Sequence, residues 1–142
     1  MQLFPDLIFL MSLLLIIVLY VLLKILNNSP VYKKRKKELT EKFQDLRALS
    51  IRLQETVSNY ILTNNANEVI FFEGTTYSSF LKSLQKNHIL HLSEKSYIKL
   101  KNSNNRLYLK RIDAMLNEQS IKLKEAQNRV LSLHTYGANM TN

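Results

Sequence analysis

The sequence has no cysteine, two glycines and two prolines among 142 residues. Without thiols there is no disulfide framework, no cysteine-based zinc site and no thiol nucleophile. A cysteine-free chain also fits a reducing compartment. Gly74 and Gly137 lie far apart, so no glycine-rich loop can cradle a phosphate. No G-x-S-x-G stretch sets a serine on a sharp turn. Few turn-formers beside plentiful Leu, Ile, Lys, Asn and Gln favour helix over sheet.

The chain is not short of a long apolar stretch. Leu7 to Leu23 is broken only by Ser12 and Tyr20, and continuation to Leu26 gives about 20 residues, or about 30 Å of helix, the thickness of bilayer hydrocarbon. Lys24 lies close enough to the end to reach the headgroups. Pro5-Asp6 marks a helix start and Asn27-Asn28-Ser29-Pro30 a stop. A cleaved signal peptide carries its positive charge ahead of the apolar stretch and ends in small residues. Neither feature is present, so Leu7–Leu26 is expected to be a retained transmembrane anchor.

Charge gives the direction. The net charge is +9, and Lys24 and Asp6 cancel within the N-terminal segment. Five positive charges sit together in Lys33-Lys34-Arg35-Lys36-Lys37, and the remaining +4 reads as thinly spread. Basic residues beside a membrane helix stay on the cytoplasmic side. The expected location is the inner or plasma membrane, with the C-terminal domain cytoplasmic and residues 1–6 translocated. The same five residues, Lys33, Lys34, Arg35, Lys36 and Lys37, are candidates for contact with anionic lipid headgroups, each worth about 1 kcal/mol near such a surface.

Two apolar periodicities organise the rest. Leu39, Phe43, Leu46, Ser50, Leu53, Val57 and Tyr60 recur at spacings of four and three, as on one face of a long helix. Leu109, Ile112, Leu116, Gln119, Leu123, Ala126, Val130 and Leu133 repeat the pattern with one polar member, Gln119. Such seams suit a coiled coil or a bundle, within the chain or between chains, and a polar seam residue can fix register. The simplest arrangement sets the two stripes antiparallel.

Shorter elements lie between them. Asn65 and Glu68 resemble a capping box ahead of Val69–Phe72, with a strand over Val69–Phe72 as the alternative. Gly74 closes a turn in the left-handed conformation. Thr75 or Thr76 can cap a helix burying Tyr77, Phe80, Leu81 and Leu84. Asn87–Leu92 reads as a connection, Ser93 as a cap for a helix with Ile98 and Leu100 inward, and Ser103-Asn104-Asn105 as its break.

The expected fold is all-α: one N-terminal transmembrane helix, then a small helical domain of two long amphipathic helices and shorter connecting ones. The expected divisions are 1–6 translocated, 7–26 anchor, 27–37 polar and basic juxtamembrane linker, 38–134 helical domain with coiled-coil character, and 135–142 a disordered tail.

Chemistry-bearing constellations are few. His88, His91 and Glu94 share a spacing of three, but the Ser93 cap interrupts their common face, and zinc needs three or four ligands. Glu41, Asp45, Glu118 and Glu125 fall beside Lys or Arg on outer helix faces and read as solvated surface. Tyr77–Asn87 and Ser93–Asn102 could be read as helix–turn–helix, yet the six-residue link and the three cations Lys95, Lys99 and Lys101 argue against nucleic acid as partner. Neither cofactor nor metal is expected, and enzymatic activity is not.

The function expected is that of a structural or assembly subunit, a scaffold or tether of a membrane-associated complex. Its partners are the membrane and a protein, or a second copy, met through the seams: Leu39, Phe43, Leu46, Leu53 and Val57 on the first helix, and Leu109, Ile112, Leu116, Gln119, Leu123 and Val130 on the second. The rivals are a membrane-tethered nucleic-acid binder, a small regulator or inhibitor of a membrane enzyme, and a lysis or envelope protein with its C-terminal domain outside.

Overall fold

The computed structural model describes residues 3–27 and 29–138, and the side chains of residues 7–25 and 29–132. Among these residues the chain is mostly helical: α1 (Leu3–Asn27), α2 (Pro30–Asn64), β1 (Ile70–Phe72), β2 (Thr75–Thr76), α3 (Tyr77–His91), α4 (Glu94–Asn102) and α5 (Arg106–Ala138). It divides into two compact units, Met1–Lys37 and Glu38–Asn142.

α1 carries the apolar stretch. Leu7–Ile25 is 19 residues with mean hydropathy 2.9, and none of it is buried. That is long and apolar enough to cross a membrane, and it is consistent with an anchor or a signal sequence. Its one serine is satisfied within the helix, because Ser12 Oγ donates to the Phe9 carbonyl at 2.7 Å. A hydroxyl in hydrocarbon has no water to bond, so this local bond removes the cost of placing it there. Pro5 and Asp6 fall inside α1, which starts earlier, at Leu3.

The juxtamembrane segment differs from the expected linker. Ser29-Pro30 both ends the first apolar run and starts α2. Ser29 Oγ accepts from the Tyr32 backbone N–H at 3.3 Å, and proline suits the first helical position, where its missing N–H is no loss. Lys33–Lys37 is therefore helical, on the first turns of α2.

α2 ends in a Schellman turn. Asn65 has φ of 52°, and the Ala66 N–H donates to the Ile61 carbonyl at 3.0 Å. Ala66 and Ile61 are both buried, which supplies the apolar contact that accompanies this motif. Asn65 thus terminates a helix and does not start one. The strand alternative holds beyond it: β1 and β2 are antiparallel, with Phe72 opposite Thr75 and Ile70 opposite Thr76. Glu73 and Gly74 form the two-residue loop at φ of 43° and 76°, the positive pair that a type I′ hairpin needs.

Thr76 then caps α3, its Oγ1 accepting from the Ser79 N–H, and Ser93 caps α4 through Ser96 N–H. Asn105 caps α5, its Oδ1 accepting from the N–H groups of Leu107 and Tyr108 at 2.9 and 3.1 Å. Three polar side chains with the same role set three helix starts.

The second unit is a bundle of three legs. Going back along α2 from Tyr60 to Gln44, the partners go forward along α3 and α4: Tyr60 stacks on Tyr77, Ser50 meets His88, Arg47 pairs with Glu94, and Gln44 bonds Tyr97. α3 and α4 together form one antiparallel return leg. α5 then runs alongside α2 in the same direction, with Asn117 bonded to Lys42, and Val130 and Leu131 beside Leu53 and Thr56. The two long helices are parallel, not antiparallel. The reason is parity: the 26 residues Tyr77–Asn102 bring the chain back the length of the bundle, about 39 Å at helical rise, so the last helix starts where α2 started.

Two smaller expectations also change. Asn87–His91 belongs to α3, not to a connection, and Ile98 is 49% exposed while Leu100 is fully buried. α5 continues to Ala138, past Thr135 where the tail was expected to begin, and residues 139–142 lie outside those described.

Candidate interaction surfaces

The apolar stripes build the core. Leu39, Phe43, Leu46, Leu53 and Val57 of α2 are buried, as are Leu109, Leu116, Leu123, Ala126 and Val130 of α5. Ile112 and Tyr60 are half-buried, and the side chain of Leu133 is outside those described. Burying a Leu, Val or Phe side chain stabilises by about 1.5–3 kcal/mol each, so these positions are what the bundle rests on.

Two polar residues lie in this core, Ser50 and Gln119, at 0% and 1% exposure. Each is met by a neighbour on α3. Asn87 Nδ2 donates to Gln119 Oε1, and His88 Nδ1 lies 3.2 Å from Ser50 Oγ. Gln54 Nε2 also donates to Ser50 Oγ at 3.2 Å. Consecutive residues of α3 therefore tie it to α5 on one side and α2 on the other. Burial, and secondly the Arg47 charge, push the His88 pKa below its ordinary value of 6.5. Sequence reasoning placed Ser50 and Gln119 in the seams but missed both partners, because Asn87 and His88 read as a connection.

At the hairpin end, aromatic side chains gather. Phe71 lies 4.8 Å from both Tyr77 and Phe80, centroid to centroid, and Tyr60 stacks on Tyr77 at 4.7 Å. The Arg129 guanidinium sits 4.0 Å above the Phe72 ring, a cation–π contact that fastens the hairpin to α5. Burial, then the hydrogen bond with Tyr60, push the Tyr77 pKa upward.

Grooves lie between the helices of the second unit. One of about 250 Å³ runs between α2 and α5, lined by Leu49, Arg52, Leu53, Thr56, Gln127, Val130 and Leu131. Another of about 310 Å³ lies between α3 and α5, floored by Phe80, Leu84, Leu123 and Ala126 with Lys122, Glu125 and Arg129 around it. Both are shallow troughs over a core already closed beneath them.

His88 and His91 share the last turn of α3, but Glu94 is engaged by Arg47. Among the described residues no group of three or more His, Asp or Glu side chains comes together to hold a metal ion. Glu118, one of the outer-face carboxylates, accepts from Lys122 four residues on at 2.6 Å.

Positive charge is less dispersed than it first reads. Besides the five cations of Lys33–Lys37, six lie within residues 95–111: Lys95, Lys99, Lys101, Arg106, Lys110 and Arg111. That segment holds no carboxylate, so the rest of the chain carries a net −2 against the total of +9. It is one structural feature, α4 and the first turns of α5 with the corner between them.

These features define a helical-bundle protein with one candidate N-terminal membrane span. No protein-family model, curated protein or solved structure matches the chain.

Proposed function

We propose that the chain is a single-pass membrane protein whose helical domain serves, without enzymatic activity, as a structural or assembly subunit on the cytoplasmic face. The observation that carries this reading is Leu7–Ile25, an apolar helix of membrane-spanning length with no buried residue. The basic first turns of α2 support the orientation, since positive charge flanking a span is held on the cytoplasmic side. They also support contact of Lys33–Lys37 with anionic headgroups.

The bundle supports the tethering role. His88, Ser50, Asn87 and Gln119 are engaged in bonds between helices, in a body that a partner meets from outside. Because most of the stripe residues Leu39–Val57 and Leu109–Val130 are enclosed in the second unit, the partner-facing positions are their neighbours Leu49 and Leu131 along the α2–α5 groove. A helical partner or a second copy of the chain suits a trough between two parallel helices.

The test is purification of the full chain from membranes in mild detergent, with the mass of the particle and its companions determined. A defined assembly larger than the 16.7 kDa chain supports the subunit reading. A lone monomer with no companion removes it.

A further inference from the structure

We infer that the corner between α4 and α5, with the helix turns on either side of it, is a second contact with the membrane, one that docks the bundle on anionic lipid through exposed cations and an exposed leucine. The inference rests on the anchor reading above and adds a site to it. Lys95, Lys99, Lys101, Arg106, Lys110 and Arg111 all fall within residues 95–111, with no carboxylate among them. The same segment holds two exposed apolar side chains, Leu107 at 71% exposure and Ile98 at 49%. Leu107 stands in the first turn of α5, its N–H donating to the Asn105 cap. An exposed leucine amid cations matches the headgroup boundary, where the apolar group enters the acyl region and the cations meet phosphates.

α4 descends along α2 from Arg47 to Gln44, so the corner that follows lies toward the end at which Glu38 opens the bundle. Only residues 26–37 separate that end from the apolar span in sequence. The opposite end supplies the contrast. Leu62, Val69 and Ile70 are exposed there too, but residues 53–72 contain no cation and two carboxylates, Glu55 and Glu68. Within residues 53–72 the exposed apolar groups stand without a cation; within residues 95–111 they stand among six. Lys99 is held over the Tyr108 ring at 5.3 Å, which fixes one of the cations beside Leu107.

The absence of cysteine permits a direct test. The full chain carrying Leu107→Cys, labelled with an environment-sensitive fluorophore, is reconstituted into phosphatidylcholine vesicles with or without phosphatidylglycerol; Leu62→Cys is the control. The expected result is a blue shift and quenching by acyl-chain doxyl lipid at position 107, only with phosphatidylglycerol, and neither at position 62. Each of Lys99→Glu, Lys101→Glu, Arg106→Glu and Lys110→Glu should lower the docked-to-undocked ratio at least about fivefold, the factor for one cation at an anionic surface, with helicity unchanged.

A water-like label at position 107 in phosphatidylglycerol vesicles, while alkaline extraction leaves the chain in the membrane, overturns the inference and spares the anchor. If alkali extracts the chain, the anchor reading fails, and full chain added outside the same vesicles scores the corner by the same label. There too a blue shift supports the inference and its absence overturns it. Protection of position 107 by duplex DNA or single-stranded RNA but not by the vesicles reassigns the corner to nucleic acid.

Discussion

The imidazole Nδ1 of His88 lies 3.2 Å from the hydroxyl oxygen of Ser50, a residue with no exposed surface at all. The contact joins α3 to α2 halfway along the bundle, with Arg47 and its partner Glu94 next to it. Protonation would add charge to a partly desolvated ring facing a guanidinium. Burial and that guanidinium both favour neutral His88. Because its pKa is lower folded than unfolded, the unfolded chain binds the proton more readily below 6.5, and stability falls with it. Above the unfolded value the contribution is complete; as pH drops through the folded value it is lost. Thermal unfolding of the domain is expected at lower temperature at pH 5 than at pH 7.5, with the difference reduced in His88→Gln. Equal dependence in the variant would move the effect to other groups.

The neighbouring pair, Asn87 and Gln119, tests whether the polar layer gives stability or register. Asn87→Leu leaves the buried Gln119 amide without its partner, at a cost of about 1–3 kcal/mol. Replacing both by leucine is expected to recover most of that loss, because no unpaired amide remains in the core. A double-mutant cycle by denaturant unfolding measures the coupling. If the double variant is stable yet loses its single set of sharp amide resonances, the layer sets register, as polar seam residues do in coiled coils.

Much of this arrangement was legible in the residues. The apolar stripes, the span and the caps at Thr76 and Ser93 depend on local chemistry that spacing reveals. Asn65 shows where local chemistry is ambiguous: Asn followed three residues later by Glu suits a helix start, but asparagine also tolerates the left-handed backbone that ends one. His88 was hidden because the turn after α3 is only Leu92-Ser93 and carries no glycine or proline. The parallel course of α2 and α5 could not be read from either stripe. It depends on whether the middle segment forms a full return leg, a property of tertiary packing. The basic corner was in plain view as six cations, but only the helix boundaries make residues 95–111 one surface feature.

The enclosed seams change what a charged substitution in them should do. Leu116 and Leu123 have 0% and 1% exposure. Leu116→Ala is expected to cost about 2–5 kcal/mol, a large part of the stability of a small domain. Leu116→Asp with Leu123→Asp should unfold the bundle while α1 still inserts, read as loss of cooperative melting with the chain retained in membranes. A folded double variant that merely loses a partner would show the seam to be an interchain surface instead.

Gly74 separates backbone strain from crowding. Its φ is 76°, and a Cβ built there meets nothing within 4 Å. Gly74→Ala should therefore destabilise the hairpin by about 1–2 kcal/mol through conformation alone. Gly74→Asn should cost less, since asparagine visits the left-handed region more readily. The shift in Tm of the two variants checks the order. Equal losses would mean that side-chain contacts at the loop, and not φ, decide the outcome.

The span itself is tested by charge at its centre. Leu15 and Ile16 lie midway along Leu7–Ile25 and are exposed on the helix surface. Arginine at such a position opposes insertion by about 2.5–3.5 kcal/mol per residue, so Leu15→Arg with Ile16→Arg should turn a chain that resists alkaline extraction into one that alkali releases. The same arginines on a water-facing helix would leave partitioning unchanged, because no hydrocarbon has to accept them. Intact mass of the membrane-bound protein decides between the two uses of an apolar N-terminal helix. A retained anchor keeps the full 16.7 kDa, whereas a signal sequence is removed and leaves a chain shorter by the whole of α1. Retention together with a protease-protected N-terminus and an accessible bundle would fix the orientation that Lys33–Lys37 implies. An accessible N-terminus with a protected bundle would put the domain on the far side, and the partner would have to be sought there.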